Sequence, residues 1–254
     1  MCKEVENKLF LLGGHDLEMK TIAELLTEQR IPYIDAGLTW SNAKLSAYKD
    51  VLFDSAGKLL YGVELTTDIL LPANYVLIDH HNGQTDAPSS LEQVAALLGV
   101  SLDRQQQLVA ANDKGYIPAM RALGATDEEV HQIRRLDRAI QGVTAQEERQ
   151  AELDVERFRI DKGVIVVQTT LTRFSPICDR LYPTDRLLIY NEQEWTYYGK
   201  GIDRLIYQFS LLLEQGKCYY GGGPNGYFGM AQGVHTSLTI IQDVKRIIES
   251  VGDV

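Results

Sequence analysis

The first half of the chain alternates short apolar β-type runs with stretches of helical period, and this alternation restricts the fold more than any other feature. Leu9–Gly13, Pro32–Asp35, Val51–Asp54, Leu60–Leu65 and Tyr75–Asp79 read as strands. A helix is predicted from about Leu17 to Glu28, and helical segments dominate from Ser89 to about Phe158. Strands alternating with helices favour an open, parallel sheet. The expected fold class is therefore α/β: an N-terminal open, mostly parallel sheet flanked by helices, plus a smaller C-terminal α/β domain.

Helix starts can be placed by chemistry. In a capping box, a Ser or Thr oxygen accepts from the backbone N–H three residues on, and a Glu at that position reaches back. Ser89/Glu92, Thr126/Glu129 and Thr144/Glu147 have this form, and Gly99 supplies a stop for the first of the three helices. The segment from Thr144 to Phe158 is very polar and reads as a solvated helix bridging two domains. Beyond it the pattern resets. Val164–Thr170, Arg186–Tyr190 and Glu194–Lys200 read as strands and Gly201–Glu214 as a helix. A glycine cluster follows, then a short strand near Phe228–Gln232 and a terminal helix from about Thr236. The expected division is a metal-binding domain over 1–142, a helical linker over 143–158 and a smaller substrate-binding domain over 159–254.

Composition narrows the function. With 35 acidic and 25 basic residues the net charge is −10, which disfavours a coat of duplex nucleic acid. The charge is uneven: the chain up to and including Phe158 holds 25 acidic and 15 basic residues, and ten of each follow. No apolar run approaches the ~20 residues of a bilayer span, so no membrane is expected as a partner. The opening MCKEVENK lacks the apolar core of a signal peptide, and the three scattered cysteines, Cys2, Cys178 and Cys218, fit a reducing compartment. A cytoplasmic location is expected.

The chemistry gathers at the ends of the predicted strands. In order they deliver Asp16 and Glu18, then Asp35, then Glu64, then Asp79-His80-His81. Ligands of an open α/β sheet bind beyond the carboxyl ends of its strands. Several carboxylates in one cleft repel unless a cation joins them. Oxygen ligands mixed with imidazole suit Mn²⁺ or a similar divalent ion, and two such ions sharing a carboxylate activate water for attack on phosphorus. Each acid also has an ordinary structural reading: Asp16 and Glu18 as helix N-terminal acids, Glu64 as a strand-end residue, Asp113 as an exposed helix residue. For Asp35 that ordinary reading is preferred.

YVLIDHHNG, an apolar strand running into Asp79-His80-His81, resembles the motif that names the DHH phosphoesterases. Other landmarks stand in the family's order: Asp16-x-Glu18 after the first strand, Glu64 ending LLYGVEL, and Asp113 with Gly115 in AANDKGYI. Late in the chain, CYYGGGPNGYFG is similar to the glycine-rich loop of the associated C-terminal domain. The resemblance spans about residues 9 to 230. It implies metal ligation by Asp16, Glu18, Glu64, His80 and Asp113, with Glu64 bridging two Mn²⁺ ions (Mg²⁺ or another divalent ion being the alternatives). It also implies catalytic roles for His81, facing the scissile phosphate, and Asp79.

In the second domain, Gly221, Gly222 and Gly223 offer backbone N–H groups to a phosphate, Tyr220 offers a ring for a base, and Lys200, Arg204 and Arg173 are candidate phosphate clamps. The expected activity is hydrolysis of a small phosphorylated substrate, a nucleotide or a short or cyclic oligonucleotide, by metal-activated water; a homodimer is compatible with it. The chain also departs from the family. Leu12 stands where a histidine is usual, Glu18 and Glu64 where aspartate is usual, and Pro224-Asn225 where a histidine follows the glycines. His15, beside Asp16, is a candidate substitute for the missing imidazole. These departures motivate the alternative of a catalytically degenerate module that binds a nucleotide or a partner without turnover.

Overall fold

The computed structural model describes residues 7–55, 57–81, 87–222, 226–230 and 238–249, and its contacts divide the chain into two units, Met1–Gly142 and Val143–Val254. The first unit is built on four parallel strands, β1 (Lys8–Leu12), β2 (Tyr33–Asp35), β3 (Leu59–Val63) and β4 (Tyr75–Ile78), in the order β2-β1-β3-β4. Because all four run the same way, their carboxyl ends share one edge. β1 is apolar on both faces for a packing reason. Phe10 and Leu12 meet Ile22, Leu26, Leu91, Val94, Leu108 and Ile133, while Leu9 and Leu11 meet Leu45, Tyr48, Leu60 and Leu65.

The first of those layers is helical: α1 (Leu17–Glu28), then α3 (Ser90–Leu98), α4 (Arg104–Ala122) and α5 (Asp127–Ile140), with α2 (Lys49–Asp54) on the other face. The capping boxes form at Ser89/Glu92 and Thr126/Glu129, and Gly99 ends α3 at φ 68°. Asp103/Gln106 makes a further box that starts α4. Each such cap contributes about 1 kcal/mol to its helix.

One predicted strand is corrected. Val51–Asp54 is helical, continuing a 3-10 turn over Leu45–Tyr48, with Val51 and Leu52 against the sheet and Phe53 exposed. A four-residue apolar run carries no period long enough to separate strand from helix.

The second unit holds a six-stranded mixed sheet in the order β5-β6-β7-β8-β10-β9: β5 (Arg159–Asp161), β6 (Val164–Gln168), β7 (Arg186–Tyr190), β8 (Trp195–Gly199), β9 (Cys218–Gly221) and β10 (Tyr227–Met230). Only β6 and β7 pair in parallel among these described strands. α6 (Ala145–Val155), α7 (Ser175–Leu181), α8 (Ile202–Gln208), α9 (Ser210–Glu214) and α10 (Leu238–Glu249) complete the unit. The single helix expected over Gly201–Glu214 is thus two. β5, α7 and β9 add to the expected elements; Tyr219 and Tyr220 belong to β9 rather than to the glycine loop that follows them.

The segment 143–158, expected as a linker, is built into the second unit. Ala151 of α6 is fully buried against Val167, Leu171, Phe174 and Ile177, and Asp154 accepts the Thr169 hydroxyl at 2.6 Å. A narrow buried stripe on an otherwise charged helix leaves little trace in composition. Among the described residues no helix is long and apolar enough to cross a membrane. The tail of the strand expected at Phe228–Gln232, the helix start at Thr236, and Cys2 lie outside the described residues.

One close approach ties the fold to the sheet's carboxyl edge. The Gly13 N–H donates to Val63 O at 2.9 Å, and a Cβ on Gly13 would sit 2.6 Å from the Glu64 carbonyl oxygen and 2.8 Å from that of Val63. Gly13→Ala should lower the unfolding free energy by about 1–3 kcal/mol, read as a lower urea midpoint at unchanged slope. An unchanged midpoint would mean that the two strand ends separate freely.

Candidate metal centre

Each candidate ligand is delivered to that edge by a local device. Asp16 is the N-cap of α1, with its Oδ1 accepting the Met19 N–H at 2.9 Å, so one carboxylate oxygen starts the helix. Glu18 lies in the first turn and reaches across to α3, where its Oε1 accepts the Leu91 N–H at 3.0 Å. Both carboxylates thus sit at helix N-termini, whose partial positive charge favours them.

Glu64 follows β3 at φ 52°, in the left-handed region. A non-glycine residue adopts that conformation at a cost, and such residues concentrate at functional sites. Asp79 follows β4 and folds back, its Oδ1 accepting the His81 N–H at 2.8 Å, while its carbonyl accepts from Gln93 Nε2 at 3.1 Å. That turn presents His80 and His81 side by side, their ring centroids 4.1 Å apart.

Asp113 comes from α4, just before the helix breaks. Pro118 has no N–H to give to the carbonyl of Lys114, and its ring crowds that carbonyl. The chain responds with non-helical conformations at Gly115 and at Tyr116 (φ 58°, ψ −148°). α5 braces the break: the Arg134 guanidinium lies 4.5 Å from the centroid of the Tyr116 ring and donates to Asn112 Oδ1 at 3.0 Å and Asp137 Oδ2 at 2.7 Å. Asp137 Oδ1 in turn accepts the Leu17 N–H at 3.4 Å, returning to the start of α1.

These devices converge. One atom each from Glu64, His80, His81 and Asp113 lies within 4.8 Å of the others. His80 Nε2 is 2.6 Å from Asp113 Oδ2, 3.3 Å from Glu64 Oε1 and 3.5 Å from Glu18 Oε2, and His81 Nε2 is 3.7 Å from Glu64 Oε1. Yet Glu18 Oε2, both Glu64 oxygens, Asp113 Oδ2 and both imidazole Nε2 atoms are buried without a directed hydrogen bond. They crowd together without pairing. Donors held at about 2.1 Å from a shared divalent ion lie about 3.0–3.4 Å from one another. The 3.3 Å between His80 Nε2 and Glu64 Oε1 falls in that range, the 3.5 Å to Glu18 lies just beyond it, and the 2.6 Å to Asp113 and the 3.7 Å from His81 to Glu64 lie outside it.

The electrostatics agree with that geometry. Burial, and then the charge of Asp113, lift the Asp16 carboxyl from 3.8 to about 8, against the Met19 N–H that favours its ionised form. Burial likewise raises Glu18 and Asp113, with His80 opposing the rise in both. For His80 burial disfavours the charged ring, but the facing carboxylates of Asp113, Glu18 and Glu64 push it up to about 12. Carboxylates with imidazole form a donor set that fits Mn²⁺, Mg²⁺ or a related divalent ion.

His81, Glu64 and Asp79 open onto a cavity of about 330 Å³, whose other walls are Trp40, Ala43 and Thr66. Trp40 and the Arg134 brace escaped sequence reasoning; a lone tryptophan in a polar loop belongs to no periodic pattern. Leu12, at the position where a histidine is usual, is fully buried in the core, and His15 is exposed and outside the cluster. Asp35 is exposed, its Oδ1 accepting the Gly37 N–H.

The second unit gathers some of its candidates at one end of its own sheet. Gly199 N–H donates to Gly226 O at 2.9 Å, and Gly226 Cα lies against Gly222, so Lys200, Gly221 and Gly222 neighbour the same turn. Tyr220 is exposed on β9 and Arg204 exposed on α8. Lys200 stands 4.0 Å from Asp185, and Arg173 is engaged with Glu147 at 3.0 Å. Gly223, Pro224 and Asn225 lie outside the described residues.

No family model and no curated protein matches the chain. Among solved structures it is similar to RecJ from Thermus thermophilus in complex with Mn²⁺, at 12% identity and a TM-score of 0.46, covering 98% of this chain and 53% of that one. It is similar to the pGpG-specific phosphodiesterase PggH of Vibrio cholerae, at 12% identity and a TM-score of 0.44, covering 96% and 98%. The DHH domain of a member of a ribosomal-protein family aligns at 10% identity and a TM-score of 0.47, covering 96% and 86%. The chain spans about half the length of the RecJ protein.

In a chelator, Asp16 should make the fold less stable as pH rises. Its folded value is raised above the unfolded one, so its contribution is fully present below about 4 and lost on passing 8. His80, also raised, acts in the same direction above its unfolded value of 6.5. Urea midpoints with EDTA should therefore fall between pH 4 and 8, and Asp16→Asn should flatten the slope. A midpoint that rises across that range in both proteins would contradict this account.

Proposed function

We propose that the protein is a divalent-metal-dependent phosphoesterase that hydrolyses a small phosphorylated substrate, a nucleotide or a short or cyclic oligonucleotide. The observation that carries this reading is the set of buried, undirected carboxylate and imidazole atoms beside an open cavity. Such atoms are costly to leave unpaired, and a shared cation removes that cost.

In this reading Asp16, Glu18, Glu64, His80 and Asp113 hold the ions, Mn²⁺ by preference and two in number. Glu64 would have both oxygens to offer to such ions, whereas Glu18 has committed Oε1 to Leu91. Bound divalent ions supply an acidified water at neutral pH and offset phosphate charge. The oxygen–phosphorus bond forms from water, the ester bond breaks, and the departing oxygen needs a proton. His81, only partly buried on the cavity wall, holds Nε2 where it can donate that proton or bind the phosphate. Asp79 sets the direction of His81 through the backbone N–H. In the second unit Gly221, Gly222, Tyr220, Lys200 and Arg204, with Gly223, are proposed as substrate-binding residues.

The full burial of Leu12 where an imidazole is usual favours a second reading, nucleotide binding without turnover. Turnover separates the two. With Mn²⁺ or Mg²⁺ the chain should cleave a panel containing pApA, a cyclic dinucleotide and a mononucleotide, and EDTA should abolish cleavage. His80→Ala should lose both stoichiometric metal, read by elemental analysis, and turnover. His81→Ala should keep the metal and lose about 10²–10⁴-fold in kcat. Nucleotide binding that needs no metal and leads to no cleavage would establish the binding module, and absence of bound metal after Mn²⁺ loading would end the phosphoesterase reading.

A further inference from the structure

Trp40 lines the same cavity as Glu64, Asp79 and His81. It opens a 3-10 turn over Trp40–Asn42, lies outside the ligand set, is 48% exposed, and yet is not free to wander. A Cβ on Gly14 would meet three indole atoms at 3.2–3.4 Å, so the ring lies against the backbone that leads from β1 to Asp16. Its edge meets the His81 ring at a centroid distance of 5.5 Å and an interplanar angle of 88°. Its own loop is anchored: Thr39 N–H donates to Asn42 Oδ1 at 2.7 Å, Thr66 N–H donates to Ala43 O at 2.9 Å, and Leu45 N–H donates to Thr66 O at 3.0 Å. The buried side chains of Ala43, Leu45 and Tyr48 floor the segment that follows.

A large ring left half exposed on a rigid loop costs solvation that core packing would have avoided. Its edge contact with His81 places it beside the residue to which the reading above gives the phosphate. Most ligand pockets combine an apolar, aromatic wall with a few convergent polar groups, and this cavity has both. We infer that Trp40 is a specificity-determining residue that stacks on the nucleobase of the substrate while the cluster holds its phosphate. This deepens the proposed function and rests on it: the substrate class becomes phosphoesters carrying a flat heteroaromatic ring close to the scissile group.

The protein has two tryptophans, and the other, Trp195, is wholly buried in the second unit, so solvent-sensitive quenching by a ligand reports Trp40. In Mg²⁺, AMP should quench the fluorescence of the wild-type protein and ribose 5-phosphate should not; in Trp40→Phe the AMP response should vanish. With pApA and its abasic counterpart as a matched pair, Trp40→Ala should lower kcat/KM for pApA by about tenfold or more, chiefly through KM. It should change abasic cleavage by less than about threefold, and Trp40→Phe should restore most of the loss. Equal losses on both substrates would make Trp40 a positioning residue for His81 and overturn the inference, as would equal quenching by AMP and ribose 5-phosphate. If neither substrate is cleaved, the phosphoesterase reading fails, and the AMP response still decides whether Trp40 meets a base.

Discussion

Like charges drawn out of water onto one edge of a sheet are the constraint around which the first unit is arranged. Each carboxylate loses hydration as it enters the cluster, and each makes the next harder to ionise. The fold answers in part with its own dipoles. Asp16 caps α1 and Glu18 accepts from the first turn of α3, so two of the acids are met by helix N-termini. Glu64 and the second oxygens of Glu18 and Asp113 have no such answer from the protein. What remains is a deficit of positive charge with a defined place.

Meeting at that place bends the backbone. Glu64 takes a left-handed conformation immediately after β3, and Tyr116 takes a positive φ immediately after the turn that carries Asp113. Gly13 has no side chain where β1 passes the Glu64 carbonyl. Two unfavourable conformations and one obligatory glycine flank the same cluster, which is where strain persists when the surroundings over-determine it. The Arg134 brace is part of that surrounding: it meets the Tyr116 ring, Asn112 and Asp137 at once.

Much of this was legible in the sequence, for identifiable reasons. Capping boxes are short-range and chemical, so Ser89/Glu92, Thr126/Glu129 and Thr144/Glu147 could be read directly. Four of the five predicted strands in this unit form because their apolar runs are buried on both faces or end in recognisable turns. Val51–Asp54 failed because four residues carry no period. α6 looked like a linker because only its Ala151 and Asp154 are buried, too few to show in composition. Asp16, Glu18 and Glu64 were visible because strand ends fall at one edge of any parallel sheet, whereas Asp113, on α4, was visible only through the resemblance carried by AANDKGYI. Trp40 was not, since its importance lies in contacts with Gly14 and His81, which are distant in sequence and follow no local rule.

The spacing of the cluster along the chain has a further effect. Its four convergent residues run from Glu64 to Asp113 and are supplied by the ends of β3 and β4 and by α4, with Glu18 of α1 3.5 Å from His80. An unfolded chain offers scattered acids to a metal ion, but only the assembled sheet offers them together. If the site holds a cation as proposed, its capture would depend on the assembled sheet, and any opening that separates α4 from the strands would take Asp113 away from Glu64, His80 and His81. In a cell with a limited pool of free metal, occupancy of the site would mark which molecules are fully folded.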